Sequence, residues 1–323
     1  MSVEKLDKYG NDFLYEMEIT TNRPDLFCVI GIAREASAIL PQFGINAEFI
    51  PLRLAKPKIE SSKNLIEIKS DPKLVNRICA VVINVKIGES PKEIKERLET
   101  SAIRSLNNVI DITNYVMRVT GHPAHVFDFD RLDTKVLTIR EAKTGEQIKT
   151  LDNKTYILKG KEIIAENDKG QIVDLLGIMG LYNSVVNNDT RKILFFIDNN
   201  ESTHIRNASM QLRIRTEAAV LNEKELDPEI AMDALLYGIE LFQNLAGGKI
   251  VSKIIDIYPN KPIVKIIKVS FEKINRVIGI EIDPKRAVKA LEALGFKTKL
   301  NNNYIETVVP SFRNNDINIE EDI

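Results

Sequence analysis

The stretch from Ile103 to Asp130, IRSLNNVIDITNYVMRVTGHPAHVFDFD, sets the tightest limit on how this chain folds. Leu106, Val109, Ile110, Val116 and Met117, with Thr113 in the same register, form one face of a helix. Gly121 and Pro123 stop it, because glycine accepts a left-handed C-terminal turn and proline cannot continue a helix. Just beyond stand His122 and His125, two of only 3 histidines. Asn107, Asn108, Asp111, Thr113 and Asn114 crowd the same helix, although such side chains compete for the backbone and are poor interior residues. A helix like this, feeding a Gly-His-Pro loop, suggests a polar site. The plainer alternative is that the asparagines face water and the histidines are ordinary packed residues. The residues alone leave both open.

At 323 residues the chain is long enough for two or more domains. An apolar share of 44% can bury real cores. The net charge of −1 gives no chain-wide attraction for a polyanion, so any nucleic-acid surface must be local. Cys28 and Cys79 make no CxxC or Cys/His cluster, which gives neither a disulfide framework nor a zinc site. No long apolar run and no charged-then-apolar leader occurs, so a cytoplasmic, reducing setting without membrane contact is expected.

In chain order, LYEMEITTNRPD predicts a strand and turn, and Pro24-Asp25 should open a helix whose inner face carries Ile32, Ala36 and Ile39. Residues 1–55 make this first unit. KPKIESSKN, 56–64, is a polar linker. Strands follow on either side of Asp71-Pro72. Ser90 and Glu93 have the spacing of a capping box, ahead of a helix with Ile94, Leu98 and Ala102 inside. KVLTIREA, TYIL, KEIIAE, QIVDLLGIMG and KILFFID read as strands. Asp227-Pro228 starts a long helix with Ala231, Ala234, Leu235, Leu241, Phe242 and Leu245 in its core face, ended by Gly247-Gly248. The second unit spans 62–255. A third, 262–323, has a strand, a short helix and a second helix capped by Asp283-Pro284. The expected fold class is α+β and multidomain: a central mixed α/β domain between a short N-terminal α/β unit and a small C-terminal one.

RSLNNVIDITNYVM and GHPAHVFDFD resemble the opening of the editing domain in the bacterial-type beta subunit of phenylalanyl-tRNA synthetase. His122 stands where that family usually has Gln, and Val126 where it has Ala. EITTNRPDLFCVIGIARE, DLLGIMGLYNSVVNNDT, HIRNASMQLRIRTEAA, LDPE and VVPSFRNNDINIEEDI resemble further family segments in the family's order, from about residue 12 to 323. The family's OB-fold would precede this region, and its later C-terminal domains would follow. Neither is expected here, and the third unit is expected to be cut short.

In that family the central domain hydrolyses tyrosine wrongly attached to tRNA(Phe). A pocket shaped for phenylalanine cannot strongly reject a substrate that only adds a hydroxyl, so a second sieve is needed. The resemblance carries the family's editing pocket onto Thr113, Asn114, His125, Gly177, Gly180, Thr216 and Ala218. They would contact the aminoacyl-adenosine end, the glycines leaving room beside it. Positioning a water is the role expected of His125, rather than general-base catalysis.

One departure weighs more than these agreements. The family's phenol-accepting glutamate, six residues after Thr190, is Phe196 here. A buried phenol without an acceptor costs about 1–3 kcal/mol. The second glycine of GIMGG is Leu181, and the family's RFEKG run is LNEKE. The pocket is therefore expected to be altered: inactive, or re-aimed at another aminoacyl group. The resemblance also places two of the family's magnesium-binding acids at Asp316 and Asp322, although a solvated helix start is the favoured reading of that run. The intact family enzyme uses ATP and magnesium, and its alpha subunit carries aminoacylation. No cofactor is expected for this chain alone. Three functions stay open: a beta subunit or shortened relative, a freestanding hydrolase of mischarged tRNA, and a non-catalytic tRNA- or protein-binding paralogue. Whether the chain is an enzyme is undecided at this level.

Overall fold

The computed structural model describes residues 1–54, 56–61 and 63–323. The first unit opens with a hairpin, β1 (Ser2–Tyr9) and β2 (Asp12–Glu18), and continues to helix α1 (Val29–Ile39). The sequence pattern predicts a single strand there, and the structure pairs it with a second, β1. Pro24-Asp25 do not open α1 as expected. They form a 3₁₀ turn, and the helix begins four residues later, where the Cys28 sulfur accepts the Gly31 N–H as N-cap. Ile39, expected inside, is 41% exposed.

The middle unit starts with β3 (Glu67–Ser70) and β4 (Val75–Asn84), then α2 (Lys92–Thr100), α3 (Asn108–Thr120), β5 (His125–Asp128) and a short α4 (Phe129–Leu132). Next come β6 (Val136–Glu141), β7 (Gln147–Lys149), β8 (Thr155–Ile157), β9 (Ile163–Glu166), β10 (Ile172–Leu175), β11 (Met179–Gly180) and β12 (Lys192–Asn200). It closes with α5 (Ser202–Leu212), α6 (Glu217–Asn222), α7 (Ile230–Leu245), β13 (Lys249–Ile250) and β14 (Ile255–Ile257). One sheet has the order β13-β4-β12-β5, with β14 also on β4; the other has the order β11-β10-β9-β6-β3. All pairings are antiparallel except β3 with β6.

The two sheets pack face to face. Their shared core includes Ile78, Ala80, Phe127, Leu194 and Phe196 from the first, and Leu137, Ile164, Val173 and Leu175 from the second. On the other face of the first sheet, α3 and α7 pack over Val81, Ile193, Phe195 and Ile197. The unit is thus helix, sheet, sheet. α7 comes so close to the sheet that a Cβ on Gly238 would lie 2.4 Å from the Phe195 ring. The third unit is a sheet of β15 (Ile266–Ser270), β17 (Tyr304–Val308) and β16 (Lys297–Leu300), with α8 (Phe271–Ile278) and α9 (Pro284–Ala293). It docks on the others through Ser311 to Asp227 at 2.7 Å and Arg34 over the Phe312 ring at 3.7 Å.

The helix of the opening stretch is shorter than its sequence pattern suggested. It starts at Asn108, capped by Asn107, and ends at Gly121 with φ of 76°. Leu106, placed on its apolar face by periodicity, precedes the cap and is 62% exposed. The expected capping box also fails. Pro91 is the N-cap of α2 with no side-chain bond, and Ser90 instead donates to Asp111. A buried carboxylate is the stronger acceptor, so it takes the hydroxyl. Ala102, expected inside α2, lies beyond it with φ of 61°.

Much of the polarity of α3 is structural. Asn108 donates to the Lys86 and Leu245 carbonyls at 3.0 and 3.1 Å. Asp111, fully buried, accepts from Ser90, Ser105 and the Leu106 N–H. Replacing it by alanine strands these three donors. Asp111→Ala should lower stability by about 3 kcal/mol in a urea titration. A loss below about 1 kcal/mol would show that the three donors reach water or other acceptors.

Candidate functional site

β12 lies between β4 and β5, and its side chains alternate between the two faces. Leu194 and Phe196 face the second sheet. Asp198 and Asn200 follow at the same period. Phe196 lies directly opposite His125 on β5. It is 1% exposed, and its ring meets Phe127 edge-on at 5.7 Å. His125 meets Phe127 edge-on at 4.4 Å and keeps 30% of its side chain open.

The second sheet supplies the opposite wall. Asp174 on β10 pairs with Gly180 on β11. A Cβ on Gly180 would stand 2.8 Å from the His125 ring, so only glycine lets this strand pass the imidazole. Gly177 turns the chain with φ of 68°, and Ile205, Asn200 and Asn222 crowd it from the other side. The Asn222 amide donates to the Gly177 carbonyl at 3.1 Å. Thr216 caps α6 by accepting the Ala219 N–H, and its hydroxyl donates to the Ile178 carbonyl at 2.6 Å. Ala218 follows in the first turn of α6, partly exposed.

The fold therefore gathers His125, Gly177, Gly180, Phe196 and Thr216 around the turn between β10 and β11. Asn114 is half-buried on the face of α3 that carries Met117 and Arg118. Met117 packs with Leu221, and Arg118 reaches Glu217 at 3.6 Å, so this face looks toward α6. Thr113 is buried, and its hydroxyl donates to the Ile110 carbonyl of its own helix at 2.7 Å. His122 is equally inward. Its ring accompanies the Pro123 carbonyl at 3.1 Å and the Asn199 amide at 3.5 Å.

Sequence reasoning missed Asp174, Asp198, Asn200 and Asn222. The signal was present in QIVDLL and KILFFIDNN, where one carboxylate interrupts a run of strand-forming apolar residues. Asp174 and Asp198 are 5% and 7% exposed. The Asn200 amide donates to Asp198, while Asp174 Oδ1 has no hydrogen-bond partner and stands 3.8 Å from His125 Nε2. Burial pushes the Asp174 carboxyl well above its ordinary range, and the neighbouring Asp198 adds to this. Burial also lifts Asp198 to about 6, against the pull of Asn200. His125 and His122 are both pushed down to about 4 by desolvation. The imidazole beside Asp174 is therefore neutral at pH 7 and can accept a hydrogen bond from a water.

Asp316, at the other end of the chain, is gripped by Arg313 at 2.8 to 3.0 Å, and Asp322 accepts the Asn318 and Ile319 N–H groups. Both carboxylates are thus already engaged. Among the described residues no group of three or more His, Cys, Asp and Glu could hold a metal ion. Nor is any described helix long and apolar enough to cross a membrane.

Two family models match the chain: the B3/4 domain over residues 75–247 and the tRNA synthetase B5 domain over 267–323. Among curated relatives, the phenylalanine–tRNA ligase beta subunit of Clostridium acetobutylicum is 38% identical over 312 residues, covering 95% of this chain and 38% of that protein. The same subunit of Carboxydothermus hydrogenoformans is 35% identical over 327 residues, 99% of this chain and 40% of that one. That of Thermotoga maritima is 33% identical over 314 residues. The chain spans about two fifths of the length of these relatives. A solved N-terminal fragment of the phenylalanyl-tRNA synthetase beta subunit from Pyrococcus horikoshii superposes with a TM-score of 0.47 at 15% identity, covering 96% of this chain and 85% of the fragment.

The buried carboxyls and histidines pull stability in opposite directions with pH. The folded chain keeps the Asp198 proton up to about 6, whereas the ordinary value is 3.8. This contribution is present at low pH and is lost as pH rises through that window. The histidines, lowered from 6.5 to about 4, lose theirs as pH falls through the same range. Asp198→Asn removes only the first effect. It should exceed wild type by on the order of 2 kcal/mol at pH 8, with the gap closing toward pH 4, in denaturant titrations across pH. A pH-independent gap would rule out the carboxyl as its cause.

Proposed function

The chain belongs to the phenylalanine–tRNA ligase beta-subunit family, and on that premise we propose that it is the part of such a subunit that carries an editing-type pocket in altered form. In this reading, residues 1–55 end the N-terminal domain, 62–255 form the editing-type domain, and 262–323 begin the small domain after it. The substrate class is the aminoacyl end of tRNA(Phe). His125, Gly177, Gly180, Thr216 and Ala218 belong to the pocket, whereas Thr113, its hydroxyl spent on the Ile110 carbonyl, and Asn114 join it on the strength of the family resemblance alone. ATP, magnesium and the alpha subunit serve aminoacylation by the intact ligase, in which this chain supplies none of the chemistry.

The observation that carries the altered state is Phe196. Its ring is fully buried, locked against Phe127, and opposite His125. The family pattern has a glutamate there. A phenyl ring offers a tyrosyl hydroxyl no acceptor, and it fills the volume that the carboxylate leaves open. A neutral His125 can still orient a water. What is lost is the discrimination of tyrosine, which rests on a paired phenol.

The test is hydrolysis of tyrosyl-tRNA(Phe) by the purified chain and by Phe196→Glu. Wild type should be about 5- to 150-fold slower than a relative that keeps the acid, the rate equivalent of one unpaired buried hydroxyl. Phe196→Glu should recover part of that, with its melting temperature recorded because it places a carboxylate in a core. Rapid hydrolysis by wild type would overturn the reading.

A further inference from the structure

We propose that Asp174 and Asp198 form a receptor for a primary ammonium group that enters beside His125, and that its occupant is the α-ammonium of an aminoacyl ester. This rests on the pocket assignment above and goes further, because it names the group that the altered pocket recognises.

Buried carboxylates in folded proteins are almost always paired. These two come from facing sheets, both more than nine-tenths buried, with no lysine or arginine forming an ion pair with either among the described residues. Asn200 supplies one N–H to Asp198. Asp174 Oδ1 receives none, and Asn200 Oδ1 is also without a partner. The imidazole at 3.8 Å is beyond hydrogen-bond reach. A buried polar atom left without a partner in a pocket marks a place where a ligand completes the network.

The missing piece must carry positive charge and several donors. A primary ammonium has both, with three N–H groups to spread over two carboxyls and an amide oxygen. A metal ion is a poorer fit, since no group of three or more His, Cys, Asp and Glu among the described residues could hold one. The way in is the open edge of His125, with 30% of the side chain exposed. Gly180 packs its backbone against one flank of the ring, where any Cβ would stand 2.8 Å from it, so entry is along the ring's exposed edge. Phe196, one strand period before Asp198 on the same face, supplies an apolar wall. A carboxyl pair beside an aromatic ring suits the ammonium and the side chain of an aromatic aminoacyl group.

The experiment is calorimetric titration of the full chain with 3′-amino-3′-deoxyadenosine acylated by phenylalanine, in three forms: free amine, N-acetyl, and the 3-phenylpropionyl compound that lacks the α-amino group. The free amine should bind about ten-fold or more tighter than the other two. Asp174→Asn and Asp198→Asn, which keep shape and drop charge, should each bring this selectivity close to one while the melting temperature stays equal or rises. Equal binding of all three forms by wild type overturns the proposal, as does selectivity that survives in both variants. Tight binding of the phenylpropionyl form with weak binding of the N-acetyl form also overturns it, because the cause would then be steric. If none of the three binds, the pocket assignment itself fails, a result separate from each of these. Binding of Zn²⁺ or Mg²⁺ that both variants abolish would replace the ammonium by a metal and overturn the proposal.

Discussion

The fold hangs on one strand with two buried faces. β12 pairs along its length with β4 and, over Ile193 to Phe196, with β5. Phe195 and Phe196 are neighbours in sequence but serve different cores. Phe195 meets Phe242 of α7 edge-on at 5.0 Å, and Phe196 meets Phe127 under the second sheet. A one-residue slip would exchange every side chain between the helix layer and the sheet layer, so the register is strongly fixed. The candidate pocket inherits this rigidity, because residues 196, 198 and 200 reach it from the same strand.

Buried polarity falls into two kinds. Asp111, Asn108 and the pair of Asp128 with Thr190 are completely partnered, and they tie helices and loops to the sheets. Arg77 is likewise gripped by Asp256 at 2.9 and 3.0 Å and lies over the Tyr258 ring. Asp174 and Asp198 differ, because Asp174 feels the charge of Asp198, Asp198 has the Asn200 amide, and Asp174 Oδ1 has no partner. Satisfied polar networks specify a fold, whereas unsatisfied ones cost stability and persist where binding compensates.

Family membership fixes the scaffold and leaves the pocket chemistry to particular residues. Phe196 puts a buried ring, which has no hydrogen-bond acceptor, in the middle of the sheet opposite His125. Asp198 stands one strand period beyond Phe196 on β12, and Asp174 faces Asp198 from β10 of the second sheet. The neutral imidazole of His125 lies between these two environments, edge-on to Phe127 and close to Asp174. The apolar and acidic parts of the site are therefore adjacent, which suits a ligand with an apolar end and a charged end.

What the sequence determined is local. Periodicity and stop signals gave α3 its Gly121 terminus, α9 its Asp283 cap, and most strands of the middle unit their positions, since these depend on near neighbours. The motifs at His125, Gly177 and Thr216 were legible because they are continuous runs. Only the tertiary structure decided that Ser90 serves Asp111 rather than capping α2, and that Leu106 faces water. It alone brought Asp174 and Asp198 together, 24 residues apart in the chain and on different sheets. Local patterns encode which face of an element is apolar. They do not encode which two faces meet, because that choice is made by the packing of the whole core.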